Sequence, residues 1–426
     1  MPIDTRHPDY SVEDATKAED AYTGNVKHYV PRLQSQTRTE YEAYVNRAPY
    51  VNATRRTADG IVGTIMRKPL ETNIEDVEVS NDLSLEELTS MELLNVANHG
   101  KSELLVDFNN ELNAPIIVPY NRWQLINWRE DRSLFVLEEH LLEPNPDDKY
   151  ELVDVVQWRE LYLDNEGYYN VRVWRKERNN FQIISNVMPL VRGEPWVEIP
   201  FVTMNPYDIT LEEKDPIIKS LVNINISHFQ SSVDLEHGSH LLALPTPYVA
   251  GDLKDKDQQT IKMGSQTFLL LEKGSQAGFI EFDGKGLSTI RENMQDKQEQ
   301  MATLGAILLT GKKGIESAEA MRIRSASESA SLMNLTNSVE KGMRQALQWY
   351  SDWRDISETE VEFTISRDFS ALTITPQDLT ALVAARQAGE ISQDTFLDAL
   401  HRGELVDDVD EEKARLSIQP QLENNG

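Results

Sequence analysis

The stretch DPIIKSLVNINISHFQSSVDLEHGSHLLALPTPYVAG, residues 215–251, decides how the rest of the chain is read. Ile217, Leu221, Ile224, His228, Ser231, Leu235, Ser239 and Leu242 recur at steps of four and three, the spacing of one helix face. That seam is only half apolar. Asn223, Asn225, Ser227, Gln230, Ser232, Asp234, Glu236 and His240 cover the other faces, so the helix is expected outside any core, with sister helices or water around it. No Lys or Arg occurs between Lys219 and Lys254. Pro245 and Pro247 end the helix, because proline lacks the amide hydrogen of the helical ladder and pushes its predecessor towards extended backbone.

Beyond this helix, Thr246 to Gly251, Gln266 to Leu271 and Phe279 to Phe282 are β-branched, aromatic and aliphatic runs bounded by glycines, which reads as a small β insertion. The chain then returns to helix. Leu287, Ile290, Met294, Met301, Leu304 and Leu308 follow steps of three, four or seven, with Gly284 and Gly286 at the start. Thr310-Gly311-Lys312-Lys313-Gly314 breaks this second helix. From Glu316 a third begins, carrying Leu332, Leu335, Val339, Met343, Ala346, Tyr350 and Trp353 at nearly heptad steps. At 1.5 Å per residue its length is roughly 50 Å or more.

Helix, small β unit, returning helix, glycine-lysine loop and long helix, in this order, resemble the central segment of tailed-bacteriophage portal proteins. Local wording adds to the resemblance: Ile199-Pro200-Phe201-Val202, Ser232-Val233-Asp234, the Leu-Pro-Thr-Pro-Tyr-Val-Ala-Gly run ending at Gly251, and Leu304-Gly305-Ala306. It covers most of the chain from about Tyr41 to Leu400. The resemblance implies an α+β, portal-type fold with a helical stem, a small β-containing clip, a mixed α/β wing with an antiparallel sheet, and a short helical crown. Its implied boundaries are an N-terminal arm at 1–36, the wing at 37–213, a stem helix at 214–244, the clip at 245–282 and a second stem helix at 283–305. The tunnel loop follows at 306–318, then a long wing helix at 319–358, a wing strand at 359–375, a reduced crown at 376–402 and an acidic, disordered tail at 403–426.

The same resemblance implies a ring, a dodecamer in the capsid, forming the channel at one vertex for DNA packaging and ejection. Gly311, Lys312, Lys313 and Gly314 would then line the channel; the plainer reading of the two lysines is a solvated helix-helix turn. Gly251, Asp252, Lys254, Asp255, Lys256 and Asp257 would belong to the partner-binding clip. Implied partners are double-stranded DNA without sequence specificity, a terminase large subunit, a head-completion or adaptor protein, and the major capsid and scaffolding proteins. Implied location is the virion, after assembly in the host cytoplasm, with no catalytic residue, cofactor or metal.

Composition constrains function independently. With 71 acidic against 42 basic residues the net charge is −29, which argues against gripping nucleic acid by phosphate neutralisation. An acidic wall would nevertheless let a duplex pass without sticking, and simple solubility accounts for the charge equally well. The absence of cysteine removes disulfides and thiolate metal sites. Met1 to Tyr10 lacks an apolar signal region, and the aliphatic runs near Pro115 to Val118 and Phe268 to Leu271 are too short to cross a bilayer, so neither classical secretion nor membrane insertion is expected.

Residues 1–36 read as an irregular polar arm. Two helices follow on either side of Pro49, the second carrying Ile61, Val62, Ile65 and Met66, with Arg55 and Arg56 on its solvated face. Ser84 and Glu87 form a capping-box pattern, and Pro115 to Trp196 reads as an antiparallel meander with turns at Asn145-Pro146, Asn165-Glu166-Gly167 and Asn179-Asn180. Its mix of Trp123, Arg129, Tyr168, Arg172, Trp174 and Arg175 superficially resembles a single-strand stacking platform, but half-buried strands show the same alternation. Near the end, Glu360 to Ile365 alternates as a strand, and helices from Thr375 and from Ser392 form a hairpin closed by Gly389.

Enzymatic signatures are weak. His237 and His240 share a helix face with Asp234 and Glu236 near, yet no third ligand must converge on them. Gly305 to Lys312 fails as a phosphate loop, since five residues separate Gly305 from Gly311 and Lys313 stands where Ser or Thr would hold magnesium. Two further classes stand beside the portal reading: a non-channel structural or adaptor protein of the virion, and a metal-dependent hydrolase built on the helical histidines.

Overall fold

A computed structural model describes residues 2–109, 112–145, 147–178, 180–243, 246–251, 273–280, 284–309, 318–354, 360–367, 369 and 376–402, with scattered positions from 405 to 415. The chain divides into two units, Met1–Ile365 and Ser366–Gly426. The class is α+β with antiparallel sheets.

The first unit opens with a surprise inside the stretch expected to be irregular: α1 (Glu13–Thr23) is a regular helix. It buries Ala15, Ala18 and Ala21 completely, and alanine at steps of three lets neighbouring helices approach its backbone closely. A reciprocal Thr37–Glu40 capping box starts α2 (Arg38–Val45). Asn52 caps α3 (Ala53–Ile65) by accepting from the Arg55 amide, while Arg55 and Arg56 lie on its exposed face. After the two-residue β1 (Glu71–Thr72), the Ser84–Glu87 box read in the sequence starts α4 (Leu85–His99).

Gly100 ends α4 in the left-handed region at φ +77. A Cβ at this position would stand 2.3 Å from the carbonyl oxygen of Lys214. Left-handed strain and collision with unyielding backbone act together, so Gly100→Ala is expected to cost about 2–4 kcal/mol. A lowered urea midpoint at unchanged slope is the check.

Sheet follows. β2 (Ser102–Asn109) pairs with β3 (Ala114–Asn121), while β4 (Leu125–Trp128), β5 (Leu134–Asn145), β6 (Asp148–Leu163), β7 (Tyr169–Glu177) and β8 (Asn180–Val187) form a five-stranded meander in chain order. A short hairpin, β9 (Leu190–Val191) and β10 (Glu194–Pro195), leads to β11 (Phe201–Met204), which joins the other side of β2. Leu105, Tyr120, Phe135, Leu161, Tyr169 and Phe201 meet between the two sheets as one buried cluster. The cationic residues of the meander serve cross-strand pairing: Arg172 lies 4.2 Å over the Tyr162 ring, Arg175 pairs with Glu143 at 2.6 Å, and the Trp174 indole donates to Glu160 at 2.9 Å. That is strand chemistry, and it leaves these groups engaged within the sheet.

The chain then forms α5 (Lys219–Ala243), the antiparallel pair β12 (Thr246–Ala250) and β13 (Gln276–Ile280), α6 (Lys285–Leu309) and α7 (Ala318–Arg354). Leu335, Val339, Met343, Ala346 and Tyr350 of α7 are buried at the near-heptad positions read in its sequence, with Leu347 buried beside them. Gly342 lies directly on Met204 of β11, where a Cβ would come within 2.3 Å of the sulfur. Finally β14 (Phe363–Thr364) pairs with β1, Glu71 opposite Thr364 and Thr72 opposite Phe363.

In the second unit, α8 (Pro376–Gln387) and α9 (Gln393–Arg402) are joined through Gly389 at φ +76, where a left-handed residue turns the chain between helices. Ser392 caps α9 by accepting from the Thr395 amide at 3.0 Å.

Candidate functional site

α5 and α6 are the elements on which the functional reading turns. The root of α5 is set by a buried ionic hub. Arg122 donates from Nε to the Ser11 carbonyl at 2.9 Å, and from Nη1 to the carbonyls of His99 at 2.7 Å and Lys214 at 3.0 Å, while Nη2 meets Glu213 at 2.6 Å. A planar guanidinium can serve these divergent acceptors at once, which an ammonium cannot. Lys101, itself buried, adds a 2.9 Å contact to Glu213 and sits 4.5 Å over the Trp128 ring. The N-terminal segment, the end of α4 and the approach to α5 are thereby tied together.

The expectation that this helix avoids a core fails for its first turns. Leu221, Val222, Ile226, Phe229 and Val233 are buried, together with Asn225 and His228. The reason is a second stripe, offset by one position from the seam visible in sequence. Asn225 Oδ1 accepts from the Thr54 amide at 3.1 Å, the Thr54 hydroxyl at 3.0 Å and the Tyr50 hydroxyl at 2.9 Å, and its Nδ2 donates to the Val51 carbonyl at 2.8 Å. Phe229 meets the Tyr50 ring edge-on at 5.6 Å. This stripe therefore faces α3 and the turn before it.

The seam read from the sequence faces α6. His228 and Gln298 are 3.1 Å apart through Nε2 atoms, and Lys297 Nζ donates to the Ser227 carbonyl at 3.1 Å and the Ser231 hydroxyl at 2.7 Å. Burial holds both His228 and Lys297 below their ordinary pKa ranges, with the Lys297 charge adding to the effect on His228 and Asp234 opposing it on Lys297. Further along, Gly238 lies against Leu287, where a Cβ would be 2.5 Å from a methyl carbon.

α6 is otherwise open. From Lys285 to Gln300 it has no buried residue, and only positions on one face, such as Leu287, Ile290, Met294 and Lys297, are half-buried. An open groove of about 540 Å³ runs along the pair, lined by Ile224, Asp296, Glu299, Gln300, Thr303 and Leu304.

His237 is engaged within the fold. His237 Nδ1 is 3.0 Å from Arg47, its ring meets Tyr44 edge-on at 5.0 Å, and Tyr44 in turn hydrogen-bonds Asp234. Burial, then Arg47 and His240, lower the His237 pKa. Among the described residues, the trio with ligand atoms within 4.8 Å of one another is His7, Asp9 and Glu130, where His7 Nδ1 already accepts the Asp9 amide at 3.1 Å. Of the clip residues singled out in sequence, Gly251 closes β12 at φ +112, with Ser275 Oγ 2.4 Å from a would-be Cβ. Asp252, Lys254, Asp255, Lys256 and Asp257, the run Gln266 to Leu271, and the loop Gly311, Lys312, Lys313 and Gly314 lie outside the described residues. Sequence reasoning placed Asn225 on a polar face outside the core, where the structure buries it, and did not single out the Arg122 hub.

Residues 217–354, from the start of α5 to the end of α7, match a family described as "Domain of unknown function (DUF4055)". No curated protein matches the chain. Among solved structures, the chain is similar to a protein in the virion of the native gene transfer agent (GTA) particle, at 12% identity and TM-score 0.43, over 92% of this chain and 99% of that one. It is similar to a protein in the neck of the empty GTA particle, at 12% identity and TM-score 0.44, over 94% and 96%. It is also similar to an HK97 family phage portal protein from Corynebacterium diphtheriae, at 10% identity and TM-score 0.29, over 78% and 95%.

Proposed function

We propose that this chain is one subunit of a portal-type ring, a DNA channel at a single capsid vertex. The observation that carries the reading is the state of α6: a long helix packed by one face on α5, with its remaining faces polar and open from Lys285 to Gln300. A helix pair of that kind is completed by copies of itself around an axis, and cyclic closure satisfies every copy equally. In this reading α5 and α6 are the stem, 245–282 the clip that meets terminase and then a head-completion protein, and the stretch between Leu309 of α6 and Ala318 of α7 the tunnel loop, which the resemblance begins at residue 306. The two sheets with α1–α4 and α7 form the wing, and α8 and α9 the crown. Capsid and scaffolding proteins surround the wing, the virion is the working location after assembly in the host cytoplasm, and the chain itself catalyses nothing. α5 is free of Lys and Arg between Lys219 and its end, so the wall it offers would not hold a passing duplex.

Electron microscopy of the purified protein tests this directly, with a closed ring and an axial hole expected; a monodisperse monomer under all conditions sinks it. Within the ring, Lys312 and Lys313 are proposed to meet phosphates through many weak, salt-screened contacts. Replacing both with Ser is then expected to leave the ring intact and to alter DNA retention across a salt series.

A further inference from the structure

Two exposed apolar surfaces lie at opposite ends of the five-stranded sheet. The first is the β5–β6 hairpin. β6 pairs with β7 only from Gln157 to Leu163, so the stretch 148–156 is paired with β5 alone and reaches roughly 25 Å past the last β6–β7 pair. On it Leu142 is 69% exposed, Tyr150 85% and Leu152 58%.

The second surface is β8, the last strand in the sheet order, with the turn that follows it. Val187 is 53% exposed and Leu190 50%. With Val171, Val173, Met188 and Trp353 they wall a cleft of about 470 Å³ whose polar floor is Arg159. That arginine is already held by Asp107 at 2.8 Å and Glu139 at 2.7 Å, so the cleft, which Asp107 and Ser185 also line, mixes apolar walls with polar groups and its guanidinium charge is met within the chain. The cleft adjoins Val187, which pairs with Val171, while the hairpin tip extends past the other end of the sheet; one chain cannot bring them together.

Charge matches across them. Between Glu143 and Asp154 the tip carries Glu143, Asp147, Asp148, Glu151 and Asp154 against Lys149. From Arg178 to Gly193, through β8 and its turn, there is no Asp or Glu and there are two arginines, in a chain of net charge −29. An edge strand is a template for another strand, and folded proteins cover or pair it.

We infer that the β5–β6 tip of one copy docks on the β8 edge and its cleft in the next copy, a head-to-tail contact that uses each surface once per subunit. Such heterologous contacts close into rings when the rotation permits. The contact rests on the ring reading above and gives that ring its interface in the sheet region.

The chain has no cysteine, so introduced thiols report cleanly. The double variant Tyr150→Cys/Leu190→Cys, both at exposed positions, is treated as purified full-length protein with a short bis-maleimide. A ladder running beyond dimer on a denaturing gel is expected, with each single variant staying monomeric. Dimers from a single variant, or no ladder from the double variant, overturn the contact. Leu142→Asp/Leu152→Asp is expected to raise the concentration needed for assembly by about tenfold or more, from the lost apolar burial, with unchanged far-ultraviolet circular dichroism. Unchanged assembly of that variant also overturns the contact. Rings in the microscope without a ladder remove this interface and leave the portal reading standing; no ring and no ladder remove both.

Discussion

Asn225→Leu is expected to destabilise the first unit by about 3–5 kcal/mol, a large share of the stability of an ordinary domain. The substitution changes shape little but leaves the Thr54 amide, both hydroxyls and the Val51 carbonyl without the partner that Asn225 supplies at 2.8–3.1 Å. Because Asn225 and Thr54 are fully buried, water does not step in at the Thr54 amide and hydroxyl, which keep their desolvation cost, while the Tyr50 hydroxyl retains the Ala21 carbonyl at 2.9 Å. Burial pushes the Tyr50 pKa up to about 12, with the hydrogen bond from Thr54 opposing the rise. Urea unfolding followed by near- and far-ultraviolet circular dichroism measures the loss. A change under 1 kcal/mol would mean that the hub is dispensable and that the α5 root is held by apolar contacts alone.

The second large effect is a pH dependence at Glu103. This side chain is fully buried on β2, its carboxylate oxygens make no hydrogen bond among the described residues, and the nearest charge is Lys101 at 3.9 Å. Burial raises its pKa to about 7, with Glu213 adding to the rise and Lys101 and Arg122 pulling it back. A carboxyl whose folded pKa exceeds its unfolded value stabilises the fold fully below the unfolded value of about 4.5, and that contribution drains away as pH rises towards 7. The span is about 3 kcal/mol. Glu92, also fully buried and raised well above its ordinary value by desolvation, adds in the same direction. Glu103→Gln is therefore expected to match the parent protein at pH 4.5 and to exceed it increasingly up to pH 8. Thermal melts across that range decide it; equal pH slopes for the two proteins would show that Lys101 compensates the ionised form completely.

Much of the architecture was legible because it is local. The Ser84–Glu87 box, the proline stop after α5, the meander turns and the near-heptad run of α7 are each decided by residues within a few positions of one another. α1 was missed because its buried face is Ala15, Ala18 and Ala21, and alanine among Glu, Asp and Lys produces no apolar stripe. The depth of α5 was missed for a related reason: two stripes one residue apart read in sequence as a single, half-polar seam. Asn225, Glu103, Lys101 and Arg122 were invisible as core residues, since each is buried by partners far away in the chain. For the clip and the loop at Gly311 to Gly314, the pattern of glycines and prolines marked breaks between elements and carried no information on what those breaks touch.

The pairing of β1 with β14, together with Tyr350, has a consequence for how the chain is made. The Tyr350 hydroxyl donates to the Asp76 carbonyl at 3.2 Å and accepts from the Glu78 amide at 3.0 Å, closing a loop of 272 to 274 residues. At bacterial or cellular synthesis rates of about 5–20 residues per second, roughly 15–60 seconds pass between the emergence of one side of this closure and the other. During that interval the helix pair α5–α6, made entirely of neighbours in sequence, can form on the nascent chain. The body that surrounds Ile74 and Val79 has to wait for α7 and β14.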